Sequence, residues 1–64
     1  MAEEYCLIGV DGNAFSVMGY VTKAMRKENK TKEEIDTYID LAMRTDYNNL
    51  LRVSQDMVEE LNGE

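Results

Sequence analysis

Very few side chains in this 64-residue sequence could do chemistry. It has no histidine and a single cysteine, Cys6. Without histidine there is no Ser-His-Asp or Cys-His pair and no imidazole ligand for a metal ion. Cys6 lies in an apolar segment just after two glutamates, and a reactive thiolate needs electropositive surroundings, so we expect this thiol to be buried and unreactive. The sequence therefore predicts a non-enzymatic protein without a metal or other cofactor.

The other segment that could do chemistry is the GVDG run at residues 9–12, which precedes a predicted helix. It is similar to a phosphate-binding corner, where the amides at a helix start attract anions. However, neither GxxxxGK nor GxGxxG is present, and Asp11 would repel a phosphate. Phe15 occupies a position where a calcium loop needs an oxygen ligand. A turn with a helix cap is the better interpretation. The alternative is a small-ligand or nucleotide site at Gly12, Asn13 and Ala14.

Acidic side chains outnumber basic ones, thirteen to seven, and give a net charge of −6. This balance argues against direct binding to nucleic acid or to an anionic membrane, which both favour a basic surface. The carboxylates form either a solvated face that keeps a small protein soluble or an anionic surface for a basic partner protein. The candidate partner-binding residues are helical carboxylates and one tyrosine at the edge of an apolar stripe: Tyr20, Glu33, Asp36, Asp40, Asp56 and Glu59.

Three amphipathic helices must position these side chains. Apolar residues recur at helical spacing over residues 14–28, 32–44 and 47–61. Each segment follows a residue type that caps helices, because its side-chain oxygen accepts a hydrogen bond from a free amide of the first turn. The capping candidates are Asn13 for the first helix, Thr31 with Glu34 as a capping box for the second, and Thr45 or Asp46 for the third.

Two glycines and one charge pair refine this interpretation. Gly12 could supply a positive φ at the corner before the first helix. Gly19 lies within that helix at a cost of about 1 kcal/mol relative to alanine, so we expect another backbone to approach it. Asp40 and Arg44 are spaced to form an i,i+4 ion pair on the second helix.

The segment YCLIGV at residues 5–10 is rich in strand-forming residues and apolar on both faces. An unpaired strand would leave its backbone groups unsatisfied. We therefore expect it to pair with its own copy across the two-fold axis of a homodimer. The alternative is that residues 1–10 lie as an arm over the protein's own helices. The dimer contacts would come from Tyr5, Leu7, Ile8 and Val10.

The predicted fold is thus a single mainly α domain over residues 1–64 with one N-terminal strand, in the order β-α-α-α. The longest apolar run, Cys6 to Val10, is far too short to span a bilayer. The chain begins Met-Ala-Glu-Glu, with two acidic residues where a signal peptide needs positive charge. A single cysteine also fits a reducing compartment. We expect a cytoplasmic protein.

Five short motifs resemble those of a family of small, mostly uncharacterised proteins from bacteria, phages and other mobile elements. They are Gly12-Asn13-Ala14-Phe15, Met18-Gly19, Glu34-Ile35-Asp36, Asp46-Tyr47 and Leu50-Leu51. The chain departs from that pattern at Thr45, where relatives often have glycine. The resemblance implies a cytoplasmic accessory protein and no catalytic residue. It also implies a phage product that inhibits or regulates a host protein, such as a defence or nucleic-acid-processing factor.

Overall fold

The computed structural model describes residues 4–63, and the chain in this range forms three helices. Helix α1 spans Ala14–Lys27, α2 spans Lys32–Ala42 and α3 spans Tyr47–Gly63. Helix α3 packs against both other helices. The mainly helical, three-helix prediction is confirmed, and the helices end at residues 27, 42 and 63 where the sequence predicted 28, 44 and 61.

The predicted caps explain where the helices begin. The Asn13 side chain accepts a hydrogen bond from an amide in the first turn of α1, at 2.8 Å. Thr31 and Glu34 form the complete capping box, each side chain accepting from the other residue's backbone N–H, at 3.1 and 3.0 Å. At the start of α3 the Asp46 carboxylate accepts from an amide three residues on, at 2.9 Å. Local sequence thus fixes all three helix starts.

The end of α1 is set by a feature that the sequence analysis did not identify. Asn29 adopts the left-handed conformation, with φ 65°. Its N–H donates to the Arg26 carbonyl at 3.1 Å, and the Lys30 N–H donates to the Met25 carbonyl at 2.9 Å. This pair of bonds is a Schellman motif, and asparagine tolerates the left-handed position better than most residues. It turns the chain into the short connection before α2.

The core is a single cluster of apolar side chains between the three helices. At its centre Tyr38 is fully buried, and its hydroxyl lies 2.5 Å from the Ser54 hydroxyl, which is also buried. Met18 and Met25 of α1 are buried in the same cluster. The buried apolar residues are Tyr5, Val17, Met18, Val21, Ala24, Met25, Ile35, Tyr38, Ala42, Leu50, Val58 and Leu61.

The predicted N-terminal strand is wrong, since no residue from 4 to 63 forms a strand. A turn interrupts the segment, with the Val10 N–H donating to the Leu7 carbonyl at 3.1 Å. Gly9 occupies the third position of this turn with φ 89°. That position and that sign of φ are those of a type II turn, which requires glycine there. The positive φ predicted for Gly12 therefore belongs to Gly9.

The backbone N–H and C=O groups of Tyr5 form hydrogen bonds with side chains of the helical bundle. The predicted dimer would have paired these groups with the strand of a second copy. The Tyr5 N–H donates to the Asn62 side-chain oxygen at 2.7 Å, and the Asn62 amide group donates back to the Tyr5 carbonyl at 2.8 Å. The Tyr5 hydroxyl donates to Glu28 at 2.7 Å, and the Cys6 N–H donates to the Tyr20 hydroxyl at 2.9 Å. Residues 4–10 thus form the predicted alternative, an arm over the protein's own helices. Residues 1–3 of that arm lie outside the described range.

The remaining arm residues do not share one environment. Leu7 and Val10 are half-buried against the core, whereas Ile8 is 90% exposed. Cys6 is exposed, so the prediction of a buried thiol is wrong, and its Sγ accepts from the Ile8 N–H at 3.4 Å. The arm leaves this side chain on the surface because Tyr5 and Leu7 take the inward positions. Strand pairing through these residues has no support in this arrangement.

Gly19 does not serve the packing role expected of it within the chain. A Cβ built on Gly19 would meet no heavy atom within 4 Å, and the residue is exposed. No other backbone of the described chain therefore approaches α1 at this point. The glycine leaves a shallow, open place on the helix surface one turn after Phe15.

Candidate functional site

A groove of about 380 Å³ runs between α2 and α3. Its apolar part is formed by Leu41, which is 40% exposed, and by the half-buried Val53 and Met57. Its acidic part is formed by three glutamates, one of them on α3. We call this site the acidic groove; it is lined by Thr31, Glu33, Glu34, Thr37, Tyr38, Leu41, Val53, Met57 and Glu60.

Helical spacing brings these residues to facing sides of two helices. On α2 the lining positions 34, 37 and 41 recur every three or four residues and so share a flank. On α3 Val53, Met57 and Glu60 follow the same spacing. This second stripe lies beside the core stripe of α3, which holds Leu50 and Ser54. The two flanks therefore meet along the α2–α3 contact, with apolar side chains at one part of the groove and carboxylates at another.

The acidic part of the groove carries more negative than positive charge. Lys30 lies 3.3 Å from the Glu60 carboxylate and 4.0 Å from that of Glu34, and its side chain is only 12% exposed. One cation thus faces two carboxylates. The Glu33 side chain is exposed and takes part in none of the side-chain hydrogen bonds and ion pairs among residues 4–63. A net negative charge therefore remains at this part of the groove.

The Glu34 carboxylate is held in its ionised form by its neighbour at the start of α2. Hydrogen bonds from the Thr31 backbone N–H and hydroxyl hold the pKa of Glu34 below its ordinary value, and the Lys30 charge adds to the effect. The opposite holds at the floor of the groove, where burial raises the pKa of Tyr38 above its ordinary value. The groove thus combines a charged rim with a neutral phenol beneath it.

The predicted partner-binding residues of α2 do not all line the acidic groove. Glu33 lines the acidic groove. Asp36, one turn further along the helix, lines a different groove, toward α1, that also contains Arg26 and Lys32. Asp40 forms the predicted ion pair with Arg44, at 3.0 Å, and both side chains are exposed. Glu33, Asp36 and Asp40 follow one another at spacings of three and four residues and are all exposed, so they lie on one side of α2. Of the three, Glu33 alone lines the acidic groove, and Asp40 is paired with Arg44.

The predicted residues outside α2 are also dispersed. Asp56 and Glu59 are exposed on α3 but do not line the acidic groove, and Glu59 accepts a hydrogen bond from Gln55 at 3.1 Å. Tyr20 is half-buried, as predicted for the edge of its stripe, and its hydroxyl holds the arm by accepting from Cys6. Sequence reasoning did not identify Glu34, Leu41, Val53, Met57 and Glu60 as neighbours in one groove.

The alternative ligand corner uses its polar groups within the chain. The Asn13 side-chain oxygen caps α1, and the Gly12 carbonyl accepts a hydrogen bond from the Tyr47 hydroxyl. Ala14 is half-buried. Ligand binding at this corner stays a prediction that no contact in the structure favours.

Two further properties concern the whole described range, residues 4–63. Its histidine, cysteine, aspartate and glutamate side chains nowhere gather in a group of three or more that could hold a metal ion. None of its helices combines the length and the apolar character needed to cross a membrane.

Comparison with known proteins does not place the chain in a family. It matches no protein-family model, no curated protein and no solved structure. The resemblance to small phage and bacterial proteins therefore stays a prediction.

Proposed function

We propose that the protein is a non-enzymatic binding module that holds a basic amphipathic helix of a partner protein in its acidic groove. The observation that carries this proposal is the composition of the groove. Leu41, Val53 and Met57 offer apolar surface beside Glu33 and Glu60, and no lysine or arginine is among the lining residues.

The apolar part supports a helix as the bound element. An amphipathic helix binds a groove by inserting apolar residues spaced three or four apart, and such grooves commonly use methionine because its side chain adapts to the partner. Leu41 and Met57 supply adaptable apolar surface of this kind on the two walls. The partner helix would cover these side chains, which are partly exposed in the single chain.

The charge of the groove supports a basic polar face on that helix. Lys30 faces Glu34 and Glu60, while Glu33 has no partner within the described chain. Lysine or arginine residues flanking the apolar stripe of the partner would pair with the glutamates. The net charge of −6 would also accelerate the encounter with a basic protein and slow the approach of an acidic one.

The biological setting rests on the resemblance alone. If the family likeness holds, the partner is a host protein that the module inhibits or regulates, such as a defence or nucleic-acid-processing factor, in the cytoplasm. A nucleic-acid-processing factor would fit the proposed chemistry, because such proteins carry basic surfaces.

A designed peptide tests the proposal without knowledge of the natural partner. The probe is an amphipathic helix with leucines on one face and lysines on the other, and its affinity is measured by calorimetry. A second peptide with glutamate in place of lysine, and a scrambled peptide of the same composition, serve as controls. We expect the wild-type protein to bind only the basic amphipathic peptide. Failure to bind it at concentrations of about 1 mM, the weak end of specific association, would overturn the proposal.

Two matched double variants locate the site. Glu33→Gln with Glu60→Gln removes two charges from the groove, and Asp56→Asn with Glu59→Gln removes two charges from elsewhere on the surface. Removing two negative charges from −6 leaves −4 in both proteins. We expect the groove variant to bind the basic peptide about tenfold more weakly, since rim ion pairs contribute up to about 1 kcal/mol each. Equal affinities for the two variants would contradict binding in the groove.

A further inference from the structure

A second groove lies where the start of α1 meets the end of α2 and the start of α3. Three of its side chains are large and exposed: Phe15 at 75%, Met43 at 58% and Tyr47 at 42%. The groove has a volume of about 230 Å³. We call this site the Phe15 face; it is lined by Ala14, Phe15, Met18, Ala42, Met43, Thr45, Asp46, Tyr47 and Leu50.

The Phe15 face carries very little charge for a protein as acidic as this one. Asp46 is the charged residue among the nine that line it, and its carboxylate accepts the 2.9 Å hydrogen bond that caps α3. Three of the nine residues lining the acidic groove are glutamates. The two grooves therefore differ in what they can attract, because a basic partner has little to pair with at the Phe15 face.

We propose that the Phe15 face is where two copies of this chain form a homodimer. Copies that each carry a net charge of −6 repel one another. Repulsion is least where the facing surfaces hold the fewest charges, and burial of apolar side chains supplies the attraction. A protein partner of opposite charge would instead be drawn to the acidic groove. The low charge therefore disfavours a basic partner at this face, and it makes this the surface where a second copy meets the least repulsion.

The shape of the face suits a two-fold arrangement. Phe15 protrudes at the rim of the groove that it helps to line. In a two-fold dimer the same patch meets itself, so the Phe15 side chain of each copy can enter the groove of the other. Gly19, one turn further along α1, has no heavy atom within 4 Å of a Cβ built on it, which leaves room for the opposing copy.

The required area is compatible with the size of the protein. The smallest specific interfaces bury about 600 Å² on each partner, and the chain exposes 4521 Å² in total. A domain of this length buries a small core and commonly gains stability from association. This dimer differs from the one predicted through residues 5–10, because the arm takes no part in it.

Sedimentation of two single variants tests the proposal. Phe15→Glu places a charge in the centre of the proposed interface, whereas Ile8→Glu places the same charge at a side chain that is 90% exposed on the arm and does not line the groove. We expect the wild type to sediment as a dimer. Phe15→Glu should raise the dissociation constant at least about thirtyfold, which corresponds to the loss of an interface hot spot, and Ile8→Glu should leave it unchanged.

Circular dichroism and a second variant distinguish loss of the dimer from loss of the fold. Met43→Glu, at the other wall of the groove, should weaken the dimer as Phe15→Glu does, and both variants should keep the helical spectrum because the replaced side chains are exposed. A wild-type monomer at about 100 µM, a concentration well above typical affinities of specific dimers, would overturn the proposal. So would a dimer lost in Ile8→Glu and retained in Phe15→Glu. Binding of the basic peptide by Phe15→Glu would show that the acidic groove acts independently.

Discussion

The acidic groove and the Phe15 face both offer apolar side chains, but the Phe15 face is more apolar and carries less charge. Each is lined by nine residues, but three glutamates lie in the first, against the single, capping Asp46 in the second. Apolar surface alone does not choose a partner, since burial is favourable whatever the occupant. The charges around the apolar surface do select a partner, because they attract proteins of opposite charge and repel proteins of the same charge. The comparison suggests that one small bundle can separate binding of a basic partner from association with itself.

The largest expected difference between the two regions concerns their aromatic residues. Tyr38, beneath the acidic groove, is fully buried, whereas Phe15 is 75% exposed. Tyr38→Ala should lower the free energy of unfolding by about 3–5 kcal/mol, the usual cost of removing a buried aromatic side chain. Phe15→Ala should change the stability of the monomer by less than about 0.5 kcal/mol, as for other surface positions. Urea denaturation followed by circular dichroism measures both.

The protein concentration must be low enough to keep the wild type monomeric, since dissociation would otherwise add to the effect of Phe15→Ala. Tyr38→Phe is a useful third variant, because it keeps the ring and removes only the hydroxyl that bonds Ser54. Its cost should be smaller than that of Tyr38→Ala. A large loss of monomer stability in Phe15→Ala would mean that this residue belongs to the core and would remove the basis of the comparison.

The helices could be predicted from the sequence because their signals are local. Asn13, Thr31 and Asp46 each cap a helix within three residues of themselves, and the apolar stripes repeat within each helix. The arm could not be predicted in the same way. Two of the partners of Tyr5, Glu28 and Asn62, lie 23 and 57 residues away along the chain. The strand-forming residue types of the arm do not indicate that its backbone groups form hydrogen bonds with side chains far away in the sequence.

The sequence predicted which types of residue the candidate site contains but not how they are arranged in space. The sequence shows that α2 is rich in carboxylates, and Glu33 and Asp36 lie one turn apart on it. Only the packing of α1 and α3 decides that Glu33 lines the acidic groove and that Asp36 lines the groove toward α1. Glu60 was not identified because its role depends on Lys30, which lies near it only after folding. Helical spacing leaves Phe15 off the stripe that holds the buried Val17 and Met18. It does not indicate that Phe15 lines a groove with residues of α2 and α3.

Added salt should weaken peptide binding at the acidic groove and strengthen dimerisation at the Phe15 face. Raising the salt concentration from about 0.01 M to about 1 M shortens the screening length from about 30 Å to about 3 Å. Binding of the basic peptide to the acidic groove should weaken about tenfold, because exposed ion pairs are screened. The dimer should become tighter, because the repulsion between two copies of charge −6 is screened as well. Calorimetry and sedimentation across this range measure the two responses.

An uncharged version of the designed peptide is the control for the salt experiment. A peptide with serine in place of lysine should show no loss of affinity as salt rises. If the basic peptide also binds equally well at both salt concentrations, the glutamates are not part of recognition. If the dimer weakens with salt, ion pairs rather than apolar burial hold the two copies together.

Alkaline pH should reveal the burial of Tyr38 beneath the acidic groove. Burial raises the pKa of Tyr38, so the folded protein holds this proton more tightly than the unfolded chain does. The resulting stabilisation is complete below the unfolded pKa of about 10 and is lost as pH rises through the folded pKa. The free energy of unfolding of the wild type should therefore fall above about pH 10 more steeply than that of Tyr38→Phe. Identical slopes for the two proteins would contradict the buried position.

The smallest expected effect belongs to Glu34 at the rim of the same groove. Hydrogen bonds from Thr31 lower the pKa of Glu34, so the folded protein releases this proton more readily than the unfolded chain does. The contribution is present above the unfolded pKa of about 4.3 and is lost as pH falls through the folded pKa. Glu34→Gln keeps a residue that serves in a capping box but cannot titrate. Its stability should therefore fall less steeply in acid than that of the wild type.

Glu33→Gln is the matched control for this measurement, because it removes a neighbouring charge that makes no hydrogen bond with the described chain. It should keep the acid dependence of the wild type, since the bonds between Thr31 and Glu34 remain. The same two variants should weaken binding of the basic peptide to a similar extent at neutral pH, because each removes one glutamate from the groove. If Glu33→Gln flattened the acid dependence and Glu34→Gln did not, the two glutamates would have exchanged roles. Charge in the groove would then be coupled to folding through Glu33, and the cap of α2 would not depend on an ionised side chain.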